Sequence, residues 1–285
     1  MSTTATFSRS LSDLLGFVAN ANSYNQQPTT EHLFKCLGIL TTLSMVWYVY
    51  VAQKGHGGIR SLARYCGVRL KRIRSVANEI ERKSFHLSGL FVPLLWQYTT
   101  HNGMSRDTQV SIAVGICVFG CTSDLLRVYI PFVQKHWPLK KILRAHEDNQ
   151  LCGASYFACG CTITLICFPS SVAIASIVWL VMGDLSAALI GRSFGGDAVA
   201  VKLGRTGKKS LEGSFAMFFI CVVVGMIMFK EVPLREYAVI LGALVATMTE
   251  LFEPFGVNDN LTIPIFSALS LHYGLLRVGG LCENA

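Results

Sequence analysis

Apolar residues run along this chain in long blocks, with neither the alternation of a half-buried strand nor the stripe of a surface helix. Blocks approaching the roughly 20 residues that a helix needs to cross a bilayer fall at 33–52, 85–100, 108–126, 151–168, 171–191, 214–229, 236–252 and 261–276. The second, sixth and eighth are short and rely on flanking side chains reaching for the interface. Pro169-Ser170-Ser171 predicts a tight hairpin between the fourth and fifth. The pattern predicts an all-α polytopic membrane bundle of about eight transmembrane helices, occupying residues 33–285. Residues 1–32, rich in Ser, Thr, Asn and Gln, predict a disordered polar tail. Within 56–84, Leu62, Cys66, Leu70, Ile73, Ala77 and Ile80 form one helical stripe edged by Arg60, Arg64, Arg69, Lys71, Arg72 and Arg74. Such a segment either lies on an anionic lipid surface or simply anchors topology.

Composition strengthens the membrane reading. Charged residues make up 15% of the chain, against about 25% in ordinary soluble domains, and mean hydropathy is +0.46. Disorder, a collagen-like repeat, a soluble globular enzyme and a nucleic-acid partner are all disfavoured. The net charge of +8 is explained by topology. With alternating sides, the segments 53–84, 127–150, 192–213 and 253–260 together hold nineteen Lys and Arg, and the opposite face holds six. The positive-inside rule puts the first set in the cytoplasm and the N-terminus outside. The ten cysteines show no C-x-x-C pair and no Cys/His ligand spacing, so they read as small hydrophobes and predict no zinc site.

Ionisable side chains within or at the ends of apolar spans are expensive and usually functional. Asp124, Asp184 and Glu250, with Arg82, Lys83 and His86, all fall near cytoplasmic helix ends in this topology. Simple pairing within the bundle is the structural alternative. Arg82 and His86 share a helix face, and two cations with an imidazole suit a nucleoside triphosphate. Asp124 and Arg127, three residues apart, either pair locally or join this site. Asp184 adjoins a ridge of Gly183, Ala187 and Gly191 that favours close helix packing. A carboxylate facing protein there suits Mg²⁺, or another divalent cation, which takes one or two carboxylates plus phosphate oxygens. After Arg192, the stretch Gly207-Lys208-Lys209-Ser210-Leu211-Glu212-Gly213-Ser214 is cationic, glycine-rich and leads into a helix. It predicts a phosphate cradle or a solvated basic loop. It is not a Walker A loop, since Lys202 stands at the first glycine and Lys209 at the Ser/Thr position. Asn258-Asp259-Asn260 predicts either a turn with an N-cap or a second metal and nucleotide contact. An ion-transport reading would place polar groups at mid-membrane or show inverted repeats, and the sequence shows neither.

In order, Arg82-Lys83-x-x-His86, Gly183-Asp184-x-x-Ala187-Ala188-x-x-Gly191, Gly207-Lys208-Lys209-Ser210-x-Glu212-Gly213-Ser214 and Asn258-Asp259-Asn260-x-x-Ile263-Pro264 resemble the membrane lipid kinases. That family comprises CTP-dependent diacylglycerol kinase, dolichol kinase and phytol kinase, and the resemblance spans about residues 78–276. The compact length, the Arg-Lys pair and the Asp-Asn-Leu-Thr-Ile-Pro run are most similar to the fungal-type CTP-dependent diacylglycerol kinases. The resemblance implies a kinase domain at 33–285 that moves the γ-phosphate of CTP to diacylglycerol, with a polyprenol or phytol as the alternative acceptor. It marks Arg82, Lys83, Asp184 and Gly191 as the positions that matter most. On this reading Asp184 and Asp259 hold the metal, and His86 or Asp124 takes the hydroxyl proton. Arg82, Lys83, Arg127, Gly191, Arg192, Lys208, Lys209, Ser210, Glu212, Gly213, Asn258 and Asn260 would surround the nucleotide and its phosphates. An endoplasmic reticulum or nuclear-envelope membrane, rather than a plastid, is implied by the same resemblance, with the active site facing the cytoplasm.

Overall fold

A computed structural model describes residues 86–137, 143, 145–194, 202–203 and 209–279. The first expected span, the polar tail, the 56–84 segment, Arg82, Lys83 and Lys208 lie outside the described residues.

Each of the other seven apolar blocks forms a helix. A 3-10 turn at Ser88–Leu90 leads into α1 (Phe91–His101). Next come α2 (Arg106–Tyr129), the short α3 (Pro131–Lys135) and a 3-10 turn at Ala145–Asn149. Helix α4 (Gly153–Cys167) is followed by α5 (Ser170–Val178), which passes through a π-helical turn, Trp179–Gly183, into α6 (Asp184–Phe194). Strands β1 (Lys202–Leu203) and β2 (Lys209–Ser210) pair antiparallel, with Lys202 opposite Ser210. The chain closes with α7 (Leu211–Met228), α8 (Arg235–Phe252) and α9 (Asp259–Arg277).

Among the described residues, three helical stretches are long and apolar enough to cross a membrane: Arg106–Tyr129, Ser170–Arg192 and Leu211–Met228. The expected boundaries agree closely with the helices, while the count of eight spans goes beyond what these three establish. The expected hairpin is present. Helix α4 ends at Cys167, Pro169 precedes α5, and the Ala173 amide donates to the Pro169 carbonyl.

Helix order alternates direction, which gathers the polar turns at two ends. At one end Arg106 reaches across to the carbonyls of Leu165 and Phe168 (3.0 and 2.9 Å), satisfying the orphan acceptors at the close of α4. The Trp96 indole donates to the Ser170 hydroxyl there, at 3.1 Å. The opposite end carries the starts of α4, α7 and α9 and the close of α8.

The centre of the bundle is built round Trp179, which is fully buried. A Cβ at Gly225 or Gly242 would lie 2.8 or 2.7 Å from its ring, so the two glycines on α7 and α8 make the slot it fills. The π turn beginning at Trp179 adds a residue to the helix and re-aims the face that follows. Downstream, the small-residue ridge packs on α7 as expected. A Cβ at Gly183 would meet Met217 at 3.0 Å, and one at Gly213 would meet the Ala187 carbonyl oxygen at 2.6 Å.

Candidate active site

Asp184 opens α6 directly after the π turn, and its side chain is nine-tenths buried. His86 Nε2 stands 3.5 Å from Asp184 Oδ2, and the His86 ring meets Phe157 edge-on at 5.8 Å. Lys209 opens β2, paired with Leu203 of β1, one residue before the Ser210 cap of α7. Its ammonium donates to Glu250 Oε1 at 2.6 Å, and lies 3.4 Å from Asp259 and 3.5 Å from Glu253. Burial pulls the Lys209 ammonium down, yet Glu250, then Asp259, then Asp184 outweigh it and hold the group above the ordinary lysine range. The charges of Asp184, Lys209, Glu250, Glu253 and Asp259, from four separate stretches of chain, therefore share one electrostatic neighbourhood.

Two helix N-termini open onto it. Ser210 caps α7, its hydroxyl accepting from the Gly213 amide at 3.2 Å, and Asn258 caps α9, its side-chain oxygen accepting from the Asn260 amide at 3.0 Å. The free amides and dipoles of both helices favour an anion at this end. Asn260 also donates to the Gly153 carbonyl at 3.1 Å, which ties α9 to the start of α4. Asn258 and Asn260 thus work as cap and clamp, and Asp259 between them is turned to Lys209. Glu212, in the first turn of α7, carries a buried Oε2 with no hydrogen-bond partner.

Gly191 has a positional reason visible in its neighbours. A Cβ there would sit 2.8 Å from the Ser210 hydroxyl, so its missing side chain leaves space for the cap of α7. Gly213 serves the same helix contact from the other side. Arg192 follows at the exposed end of α6.

Asp124 and Arg127 form a separate buried knot. Arg127 Nε donates to Asp124 Oδ1 at 2.7 Å, and its remaining nitrogens donate to the carbonyls of Glu147 (2.9 Å) and Gln150 (2.6 Å). The second Asp124 oxygen accepts from the Cys152 amide (2.7 Å) and the Ser155 hydroxyl (2.8 Å). The carboxylate and the guanidinium are consumed in fastening the 145–150 turn to α2 and α4, so the local-pair reading of these two residues is the one the contacts favour. Their connection to the Lys209 neighbourhood runs through Gly153, whose amide donates to Glu147 and whose carbonyl accepts from Asn260.

Glu253 was not singled out by the sequence. Its signal was Glu250-x-x-Glu253-Pro254 at the end of an apolar run, where proline stops the helix and the two acids lie three apart. Glu253 also adopts φ 44°, a left-handed conformation uncommon for a residue with a Cβ, which turns the chain back toward α9. Glu250 was seen as misplaced in lipid, but its partner was not: Lys209 lies forty-one residues away.

The donor set is suited to a hard divalent cation. The acids offer carboxylate oxygens alone, but among the described residues they form no closed cage of three ligand atoms. A site of one or two carboxylates completed by phosphate oxygens is what Mg²⁺ characteristically takes. Buried carboxylates, an ammonium and two helix N-termini thus meet at one mouth of a mostly helical bundle that contains three stretches able to cross a membrane.

Among curated proteins, the chain is similar to CTP-dependent diacylglycerol kinase 1 of Schizosaccharomyces pombe, 26% identical over 212 residues, covering 70% of this chain and 94% of the relative. The protein of the same name from Saccharomyces cerevisiae is 28% identical over 218 residues, covering 68% of this chain and 73% of the relative. An uncharacterized protein of Rickettsia prowazekii is 27% identical over 207 residues, covering 67% of this chain and 92% of its own length. No protein-family model matches the chain, and no solved structure matches it. Each of these relatives matches over about two thirds of the chain.

Proposed function

We propose that this protein is a membrane lipid kinase that transfers the γ-phosphoryl group of CTP to diacylglycerol, giving phosphatidate and CDP at the cytoplasmic face of the endoplasmic reticulum or nuclear envelope. The observation that carries the reading is the Lys209 neighbourhood: acids from α6, α8 and α9 meet an ammonium between two helix N-termini. The named relatives supply the nucleotide and the lipid, since no base-recognition element can be read from the residues.

Phosphoryl transfer depends mostly on positioning and charge neutralisation. The diacylglycerol hydroxyl oxygen bonds to the γ-phosphorus as the bond from phosphorus to the CDP oxygen breaks. Arg82, Lys83, Lys208 and Lys209 would clamp phosphate oxygens, with the amides at the start of α7 beneath them. His86, 3.5 Å from Asp184, is the proposed acceptor of the hydroxyl proton, because the oxygens of the other candidate, Asp124, are already engaged. Asp184 and Asp259 would hold Mg²⁺, with Glu250 and Glu253 beside them. The ion, when bound, would offset charge on the transferring phosphoryl group.

Detergent-solubilised protein, Mg²⁺ and γ-labelled CTP or ATP, offered diacylglycerol, dolichol or phytol, test the reading directly. The expected product is labelled phosphatidate from CTP. Labelled polyprenyl or phytyl phosphate would retain the reaction and replace the acceptor. No labelled lipid from folded protein under any pairing would overturn the kinase reading and return transport to consideration.

A further inference from the structure

Three thiols meet at the seam between α2 and α4, away from the acidic mouth. Cys117 and Cys121, one turn apart on α2, both face Cys159 of α4. The Sγ of Cys159 lies 3.7 Å from that of Cys117 and 3.5 Å from that of Cys121, and all three sulfurs lie within 4.8 Å of one another. The sequence predicts no zinc site among the cysteines, because it holds neither a C-x-x-C pair nor Cys/His ligand spacing. On a helix, C-x₃-C is the spacing that lines one face.

We infer that Cys117, Cys121 and Cys159 form a three-sulfur site for a thiophilic monovalent cation, Cu(I). A triangle with sides of 3.5 and 3.7 Å and a third no longer than 4.8 Å has its centre at most about 2.4 Å from each corner. Metal–thiolate bonds are about 2.3 Å long, so an ion at that centre reaches all three sulfurs with almost no movement of the helices. Sulfur donors select soft ions. The fourth protein ligand that Zn²⁺ nearly always takes is missing among the described residues. The oxygens of nearby Asp124 are engaged by Arg127, Cys152 and Ser155. Binding needs no electron acceptor: each ligating thiol gives its proton to solvent and the ion keeps its oxidation state. The bound ion would staple α2 to α4, and α2 is otherwise exposed along Ile112, Ile116 and Phe119.

The test titrates reduced, anaerobic, full-length protein in detergent with Cu(I) against a chromophoric Cu(I) chelator, with Zn(II) in parallel. A single Cu(I) ion per chain is expected, retained by a Cys221→Ser control and lost in a Cys117→Ser/Cys121→Ser/Cys159→Ser variant. X-ray absorption on the loaded wild type, which does not depend on the variant folding, should count three sulfur neighbours. Retention of the ion by the triple variant, another sulfur count, binding of Zn(II) alone, or no stoichiometric binding overturns the assignment. None of these readouts uses lipid phosphorylation, so this site and the proposed kinase activity stand or fall separately.

Discussion

Lys209 keeps its proton against burial because carboxylates face it from three directions. Its folded-state affinity for a proton is raised above the ordinary lysine value of 10.5. The contact therefore contributes stability fully below that value and loses it only as pH climbs through the higher folded value. Lys209→Met should remove the shared counter-ion and leave buried acids facing one another. The expected cost is about 1–3 kcal/mol, less than for a fully enclosed pair because the ammonium retains some contact with water. Melting of wild type and variant from about pH 7 to about pH 9 should show a gap that does not narrow, since Lys209 stays charged throughout that range. A gap that closes within it would show that the ammonium is not held by the acids. Asp184→Asn, by contrast, should reduce phosphotransfer by at least about a hundredfold with little change in melting; near-normal turnover would remove Asp184 from the metal role. Asp124→Asn should do the reverse. It breaks a buried pair, at a cost of about 3–5 kcal/mol, while activity per folded molecule survives. If that variant melts normally but is inactive, Asp124 belongs to the chemistry and the knot is secondary.

At the scale of elements, contacts between helices depend on residues that have almost no side chain. Gly213→Ala would push a Cβ to 2.6 Å from the Ala187 carbonyl oxygen, and backbone cannot swing aside as a flexible side chain can. Helix α6 must part from α7, carrying Asp184 away from Lys209, so both stability and activity should fall. Gly115→Ala on α2 meets nothing within 4 Å and should be neutral or gain up to about 1 kcal/mol from helix propensity. Equal thermal shifts for the two variants would mean that the α6–α7 seam is looser than this packing. The same contrast explains what could be read from the chain. Helix boundaries were legible because apolar runs and breakers such as Pro169 are local signals. The Gly183-Ala187-Gly191 ridge was legible because its spacing repeats on one face. The partner of Lys209 was not, because an ion pair spanning forty-one residues leaves no periodic trace. Asn260 looked like a ligand, and only tertiary contact shows it donating to Gly153, one hundred and seven residues away. The three thiols were hidden for the same reason: two share a turn, and the third comes from a neighbouring helix.

Across the whole molecule, alternation of helix direction decides which turns share a side. The 145–150 turn, the start of α7 and the α8–α9 turn carry the knot, the Ser210 cap and the acids, so they share the face of the proposed chemistry. The turn between α7 and α8 lies at the other end with Lys230 and Arg235, and the α9 helix finishes there with Arg277. In the sequence, nineteen of the 25 Lys and Arg fall on the segments expected to lie on the first of these two sides, and the positive-inside rule would place that side in the cytoplasm. CTP, the proposed donor, is a charged solute that would reach the site from the cytoplasm, so the proposed function requires the acids to face that side. An Asn-x-Thr acceptor inserted beside Glu231, which is exposed at the α7–α8 turn, should therefore be glycosylated in endoplasmic-reticulum microsomes. The same acceptor placed beside Asn149, exposed in the turn that Arg127 fastens, should stay unmodified. Mobility on gels before and after glycosidase treatment reads both. Modification at Asn149 with none at Glu231 would invert the molecule, place the acids in the lumen and remove the cytoplasmic nucleotide pool as the phosphate donor. Modification at both would show mixed insertion, so the charge difference would be too weak to orient the bundle and another device would have to do so.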